Sequence, residues 1–216
     1  GPSRLRLGGL TSLTPELAVT LANGPDSIEL SGLTALTPET AAVLARRGGA
    51  LDVSGLTTLT PETAAALAGL HDALDLSGLT TLTPETAAAL AEFRGGELSL
   101  DGVRALAPEL AAALTAGQEQ HDDPDDSDTL SLGGLMTLTP EAAAALASGT
   151  RNLRLAGLTS LTPATAAALA RNTRGLELRG LLSLTPETAA ALATHQGRLQ
   201  LSGLKELTPE TAAALA

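Results

Sequence analysis

Proline returns at an almost constant interval along this chain of 216 residues, and that period constrains its fold more than any other feature. Nine prolines lie 23, 23, 23, 24, 32, 23, 23 and 23 residues apart. They are Pro15, Pro38, Pro61, Pro84, Pro108, Pro140, Pro163, Pro186 and Pro209. A fixed period of roughly 20–50 residues is typical of proteins that stack one supersecondary unit many times. The chain is therefore expected to form a repeat architecture.

Each period contains a short strand signal followed by a helix signal. In the third unit, Leu51 and Val53 alternate with Asp52, a pattern that predicts a short strand with its outer residues pointing inward. Thr60 and Pro61 then suit the cap and the first turn of a helix. The helix that follows is short and rich in alanine, so it must be held by packing against its neighbours. Each unit is thus predicted to be a strand, a turn and a helix.

A strand-turn-helix unit of 23 residues with this leucine spacing resembles the leucine-rich-repeat superfamily, most closely its bacterial variants. The resemblance implies an α/β fold, a right-handed solenoid with a parallel β-sheet on one face and short Ala-rich helices on the other. We interpret residues 1–3 as the remnant of an expression tag. Residues 4–216 are expected to form a single solenoid of nine repeats with an acidic insertion at 117–129.

The chain departs from that family at one position. Where the family usually has a buried asparagine, this chain has Leu10, Leu33, Leu56, Leu79, Val103, Leu135, Leu158, Leu181 and Leu204. The backbone groups that such a ladder of asparagines satisfies must find other partners, because buried unpaired groups are costly. The bend after each strand is therefore expected to differ from the family's.

A glycine follows every predicted strand. The nine are Gly9, Gly32, Gly55, Gly78, Gly102, Gly134, Gly157, Gly180 and Gly203. A glycine at the same place in every unit indicates either a positive φ angle or a backbone stacked too closely for a Cβ atom. The sequence leaves both explanations open.

Composition narrows the core and excludes several functions. The chain has no Cys and a single aromatic residue, Phe93, so we expect a core of leucine and alanine without aromatic filling and no disulfide or thiolate site. Its formal net charge of -11 argues against nucleic-acid binding. No stretch approaches the roughly 20 apolar residues that a membrane-spanning helix needs, so membrane insertion is not expected.

The outward strand positions carry the candidate binding residues. Glu29, Asp52 and Asp75 would stack like charges on neighbouring strands, which destabilises a sheet unless a cation or a basic partner arrives. The resemblance implies that the strand face is the ligand surface. We therefore select as the tentative binding set Glu29, Asp52, Asp75, Arg154, Glu177 and Arg179. The alternative is a solvated acidic face, with Arg154, Glu177 and Arg179 pairing laterally.

The insertion offers a second, weaker candidate. Its carboxylates at Asp122, Asp123, Asp125, Asp126 and Asp128 could coordinate Ca²⁺ through oxygen ligands. The loop lacks the central glycine and the final glutamate of a calcium-binding loop, so a solvated acidic loop is the favoured interpretation.

No enzymatic pattern is present in the sequence. His71, His121 and His195 lie in separate inter-unit loops, and no nucleophile is placed near them by a motif. We therefore expect no catalysis and no cofactor, and interpret the chain as a non-catalytic module for protein–protein interaction within a larger bacterial protein. The alternative is a passive structural spacer or surface stalk. Because no capping element is visible at either end, we also expect end-to-end contact between two copies.

Overall fold

The computed structural model describes residues 4–116 and 128–216, where nine strands alternate with nine helices. The strands are β1 Arg4–Arg6, β2 Ser27–Glu29, β3 Leu51–Asp52, β4 Leu74–Asp75, β5 Glu97–Ser99, β6 Thr129–Ser131, β7 Asn152–Arg154, β8 Leu176–Glu177 and β9 Leu199–Gln200. The helices are α1 Pro15–Ala22, α2 Pro38–Ala45, α3 Pro61–Leu67, α4 Pro84–Ala91, α5 Pro108–Thr115, α6 Pro140–Ala147, α7 Pro163–Leu169, α8 Pro186–Leu192 and α9 Pro209–Leu215. We call each strand with the helix after it a coil, numbered 1 to 9. Residues 1–3 and most of the 117–129 insertion lie outside the described residues.

All nine strands form one parallel sheet in the order of the sequence. The register aligns equivalent residues, so that Leu51 pairs with Leu74 and Asp52 with Asp75. The pairing also continues from β5 to β6, where Leu98 lies beside Leu130. Each helix packs against the next one along the chain. The α/β fold, with a parallel sheet and short helices in a solenoid-like repeat, is confirmed.

Threonine begins the helices, as the sequence predicts. The hydroxyl of Thr60 accepts a hydrogen bond from the Thr63 backbone N–H at 3.3 Å, and Pro61 occupies the first turn. The same cap occurs at Thr14, Thr37, Thr83, Thr139, Thr162, Thr185 and Thr208. Ala107 of coil 5 provides no side-chain cap. A missing N-cap of this kind costs about 1 kcal/mol.

A second threonine joins the helices of coils 3, 4, 7, 8 and 9 to the coil before each of them. The hydroxyl of Thr63 donates to the Leu36 carbonyl at 3.4 Å, and that of Thr86 donates to the Leu59 carbonyl at 3.2 Å. The equivalent bonds in coils 7 to 9 come from Thr165, Thr188 and Thr211. Coils 5 and 6 have Leu110 and Ala142 at this position. This set of bonds is therefore interrupted on both sides of the insertion.

The glycine after each strand is required by close stacking. A Cβ atom on Gly78 would collide with the backbone carbonyl oxygens of Ser54 and Leu56 in the preceding coil. Gly9, which has no preceding coil, has nothing within 4 Å of its Cβ position, and none of these glycines has a positive φ. Of the two explanations that the sequence left open, the close approach of backbones is the correct one.

The bend after the strand closes without asparagine. The backbone N–H of Leu56 donates to the Val53 carbonyl at 3.0 Å, and the N–H of Leu79 donates to the Leu76 carbonyl at 3.0 Å. A four-residue β-turn, closed by this bond between its first and last residues, therefore follows the strand at the position where the family has asparagine. No asparagine side chain takes part in it.

The interior is one continuous layer of leucine and alanine. The expectation of a core without aromatics was wrong in one respect, because Phe93 is fully buried. It fills a gap at the end of a helix, where no leucine of the repeat is available. In coil 9, by contrast, Leu199, Leu201 and Leu204 are only partly buried. The end-to-end contact between copies stays a prediction.

Across the two described ranges, none of the helices combines the length and apolar character needed to cross a bilayer.

Candidate interaction surface

The strand face consists of the outward side chain of each strand and the residues two positions before and two positions after it. The central row is Arg6, Glu29, Asp52, Asp75, Ser99, Ser131, Arg154, Glu177 and Gln200. The row before it is Arg4, Ser27, Ala50, Ala73, Glu97, Thr129, Asn152, Gly175 and Arg198, and the row after it is Gly8, Ser31, Ser54, Ser77, Asp101, Gly133, Ala156, Arg179 and Ser202. Because the sheet is in register, these rows run straight along the solenoid. At about 4.8 Å per strand, the face is about 40 Å long.

The acidic residues of coils 2 to 4 are stacked as the sequence predicts. Glu29 is paired with Arg4 at 3.2 Å and with Arg6 at 3.1 Å. Asp52 and Asp75 lie side by side on β3 and β4. Within the described ranges no basic side chain forms an ion pair with either of them. Glu29 is thus compensated within the chain, whereas the two aspartates remain an uncompensated pair.

Backbone donors hold both aspartates in place. One carboxylate oxygen of Asp52 accepts from the Ser54 N–H at 2.9 Å, and one of Asp75 accepts from the Ser77 N–H at 2.9 Å. Each bond spans two residues and fixes the turn after the strand. The second oxygen of each carboxylate has no hydrogen-bond partner in the described part of the chain. Both aspartates therefore present an oriented, unpaired oxygen on the strand face.

The charged residues at the other end form a lateral network. Glu177 accepts a hydrogen bond from Arg154 at 3.2 Å and forms an ion pair with Arg179 at 3.2 Å, while Arg179 donates to the Gln200 side chain at 2.8 Å. Arg154 also pairs with Glu97 on β5, so its side chain extends across β6. Partial burial lowers the pKa of Arg154, but the two carboxylates outweigh it and the net pKa is raised. The lateral pairing left open by the sequence is present, and it joins Arg154, Glu177 and Arg179.

The sequence did not predict the contact between two polar residues of this face, Ser131 and Asp101. Ser131 points outward from β6 yet is only 1% exposed. Its hydroxyl donates to Asp101 at 2.7 Å, and the same carboxylate oxygen accepts from the Gly133 N–H at 2.6 Å. The signal in the sequence that could have indicated this contact is Asp101 itself, which stands where coils 2 to 4 have a serine. Its role is to fix the turn beside the insertion.

A shallow cleft lies beside the charged network of coils 6 to 9. It has a volume of about 190 Å³ and is lined by Thr129, Asn152, Gly175, Glu177, Arg198 and Gln200. Arg198 is exposed at its rim, and no carboxylate of the described ranges pairs with it. The opposite charges of Glu177 and Arg198 therefore lie on the same cleft, whereas the middle of the face carries serine in the central row.

Away from the strand face, in coils 2, 3, 4, 7 and 8, the residue nine positions after the repeat proline packs at the end of the helix. These residues include Arg47, Leu70, Phe93, Asn172 and His195, and each N–H donates to the carbonyl of the last helical leucine. Arg47 is buried and donates to the Ala50 carbonyl at 3.1 Å and to the Pro25 carbonyl. Burial lowers the pKa of Arg47, and Asp26 and Asp72 oppose that shift. These variable side chains complete the core of a loop that the repeat pattern leaves unspecified.

A buried arginine connects the coils on the two sides of the insertion. Arg151 is 5% exposed, and its guanidinium donates to the Phe93 carbonyl. The guanidinium carbon also lies 5.7 Å from the centre of the Phe93 ring, a distance typical of a cation–π contact. Arg151 precedes β7 and Phe93 follows α4, so this contact spans coil 5.

Most of the calcium candidate lies outside the described residues, namely Asp122, Asp123, Asp125 and Asp126. Asp128 is described, and its backbone carbonyl accepts from the Asn152 N–H at 2.8 Å and from the Asn152 side chain at 3.2 Å. Within 4–116 and 128–216, no group of three or more His, Cys, Asp or Glu side chains could hold a metal ion.

No protein-family model matches this chain, and no curated protein matches it. Function is therefore inferred from the strand face itself.

Proposed function

We propose that this chain is a non-catalytic repeat module that binds a protein partner through its strand face, as part of a larger bacterial protein. We further propose that it is a leucine-rich-repeat protein of a variant without the asparagine ladder, with the right-handed winding of that family. The leucine spacing, the parallel sheet and the alternating helices support this membership.

One observation carries the proposal. The inward residues of the strands are nearly all leucine. The central outward row, by contrast, changes from arginine to carboxylates to serines, and then to arginine, glutamate and glutamine. Packing accounts for the inward leucines, because each coil must bury the same shape of surface. It does not require the outward changes. A non-repeating surface on a repeating core is typical of a recognition face.

The partner is expected to be basic where it meets Asp52 and Asp75. Their carboxylates lie on adjacent parallel strands, where like charges repel. An arginine of a partner could donate hydrogen bonds to both unpaired oxygens, and Arg is enriched at interface hot spots. Such a contact relieves repulsion that the free protein carries.

A capture experiment tests the proposal. The whole chain is immobilised as the wild type, as Asp52→Lys/Asp75→Lys, and as Glu39→Lys/Glu62→Lys, which makes the same charge change on the helix side. Binding proteins are identified by mass spectrometry from a lysate of the source cells. A specific partner is expected on the wild type and the helix-side control, and lost on the strand-face variant. Equal capture by all three proteins would remove the strand face from the proposal.

The stalk alternative is favoured by one observation, the small residues of the flanking rows. Ser31, Ser54 and Ser77 offer no large side chain for a partner to grip, and interface hot spots are usually aromatic residues or arginine. A stalk would capture no protein through either face. The same experiment therefore separates the two functions.

A further inference from the structure

The charges of the strand face are divided between its two halves. In coils 2 to 5 the three rows carry five carboxylates and no basic side chain: Glu29, Asp52, Asp75, Glu97 and Asp101. In coils 6 to 9 they carry three arginines and one carboxylate: Arg154, Arg179, Arg198 and Glu177. The first half is thus acidic and the second half is basic.

Ion pairs within the chain reduce this division without removing it. Glu29 is paired with Arg4 and Arg6, and Arg154 is shared between Glu97 and Glu177. Within the described ranges, the carboxylates of this face without an ion pair are Asp52 and Asp75 in coils 3 and 4 and Asp101 in coil 5, while coil 1 has two arginines against the one carboxylate of Glu29. In coils 8 and 9, Arg198 has no carboxylate partner in the described ranges, and Arg179 shares Glu177 with Arg154. Two patches of opposite sign therefore lie on one face of the sheet.

In the region between the two patches, the side chains of the central row project little from the sheet. The outward residues of β5 and β6 are Ser99 and Ser131, and both are buried. Arg154 lies across β6 rather than projecting from it, since it reaches Glu97 on the strand beyond. No long side chain of the central row holds a facing surface away from the middle of the face.

A surface with acidic and basic ends is complementary to itself when one copy is turned end over end. We propose that the strand face binds a second copy of this chain in an antiparallel, two-fold arrangement. The Asp52–Asp75 patch of each copy then lies over the Arg179–Arg198 patch of the other. A two-fold interface makes each contact twice, so the acidic patch of each copy meets the basic patch of the other. This association goes beyond the proposed function, because it does not depend on any other partner.

The size of the face limits the strength of this dimer. In this arrangement coil 6 lies over itself and only coils 3 to 9 overlap, so the shared face is about 30 Å long, about 10 Å wide and about 300 Å² in area per copy. Stable interfaces usually bury about 800 Å² per partner. The net charge of -11 opposes association as well, although the segment 117–129 alone supplies six of the carboxylates. The dimer is therefore expected to be weak, and charge complementarity is what orients it.

Charge reversal with mixing tests the arrangement. The full chain is studied by sedimentation equilibrium as the wild type, as Asp52→Lys/Asp75→Lys and as Arg179→Glu/Arg198→Glu, at concentrations up to about 1 mM, where weak complexes are populated. Each variant alone is expected to weaken self-association at least tenfold, because like charges then face each other. An equimolar mixture of the two variants is expected to restore it to about the wild-type level, because the mixed pair is complementary at both ends.

Two controls make the outcome decisive. Glu39→Lys/Glu62→Lys and Arg46→Glu/Arg171→Glu make the same charge changes away from the strand face and should self-associate as the wild type does. Circular dichroism and thermal unfolding verify that every variant is folded. A wild type that stays monomeric, variants that dimerise as well as the wild type, or folded variants that do not associate on mixing would each overturn the proposal. Loss of the dimer with retained partner capture would leave the proposed function intact.

Discussion

Coil 3 and coil 5 have the same strand, turn and helix, but different contacts hold them in the solenoid. In coil 3, Thr60 caps the helix and Thr63 binds the carbonyl of Leu36 in the coil before. In coil 5, alanine and leucine replace both threonines at Ala107 and Leu110. Helix α3 ends in a residue of helical conformation, whereas α5 ends abruptly at Ala116, which is extended with φ -65° and ψ 141°.

The difference shows how the two sides of the solenoid pass the insertion. The strand side continues, because Thr129 N–H donates to the Gly96 carbonyl at 2.7 Å and Leu100 N–H to the Ser131 carbonyl at 2.8 Å. On the helix side, coils 5 and 6 lack the bond that Thr63 makes in coil 3, but α5 still packs on α6 and the Thr115 hydroxyl lies 3.2 Å from the Ala145 carbonyl. Arg151 and Phe93 make a longer-range contact across the same place. Sheet pairing and helix packing therefore both continue at the insertion, with a different set of polar contacts on the helix side.

The largest loss of stability is expected at the glycine after the strand, a feature that the regular coils and the coils beside the insertion share. Gly78→Ala in a regular coil and Gly134→Ala beside the insertion both place a Cβ against a backbone carbonyl of the preceding coil. Each is expected to lower the free energy of unfolding by about 3 kcal/mol, the upper end for changes that force backbone shifts. Chemical denaturation measures this. Gly9→Ala, where the space is open, is the control and should change stability by less than about 0.5 kcal/mol.

The next effect should distinguish the region of the insertion. Arg151→Met removes a charged donor from the Phe93 carbonyl and the contact with its ring. We expect a loss of about 2 kcal/mol, typical of a hydrogen bond to a charged group. Denaturation of the full chain measures the loss, with the exposed Arg171→Met as the matched control. Equal stability of the two variants would show that Arg151 does not stabilise the coils around the insertion.

An exchange of caps should make coils 3 and 5 more alike. Thr60→Ala removes a cap and is expected to cost about 1 kcal/mol, while Ala107→Thr supplies one and should stabilise by a similar amount. The melting temperatures of the two variants should move in opposite directions from that of the wild type. If Ala107→Thr has no effect, the start of α5 is not limited by its missing cap.

The smallest effect concerns pH in the regular coils. Hydrogen bonds from its own N–H and from the Thr83 hydroxyl lower the pKa of Glu85 from its ordinary value of 4.5. A carboxyl with a lowered pKa contributes stability that is present above its unfolded pKa and is lost as pH falls through its folded pKa. Glu85→Gln should therefore be less stable than the wild type near pH 7. The difference should vanish in acid, as unfolding curves across that range would show.

The repeat made the fold predictable, because one pattern of leucine, glycine, threonine and proline recurs along the chain, with Ala107 in place of the capping threonine in coil 5. The positions of Glu29, Asp52 and Asp75 on the strand face followed from the two-residue period of a strand. The buried Arg47 and Arg151 could not be predicted, since their burial depends on loop gaps that differ from coil to coil. The reach of Arg154 across β6 to Glu97 was equally hidden. It depends on the length of a side chain over a neighbouring strand, which periodicity does not encode.

The central claim is that one uninterrupted sheet presents one strand face from coil 1 to coil 9. Hydrogen exchange of backbone amides, followed residue by residue by NMR, tests it most directly. We predict that the amides of Leu100 and Thr129, whose hydrogen bonds join β5 to β6 across the insertion, are protected as strongly as those of Val53 and Leu76 in the regular coils. Fast exchange at Leu100 and Thr129 alone would contradict the claim. It would mean that two separate solenoids, each with its own shorter face, meet at the insertion.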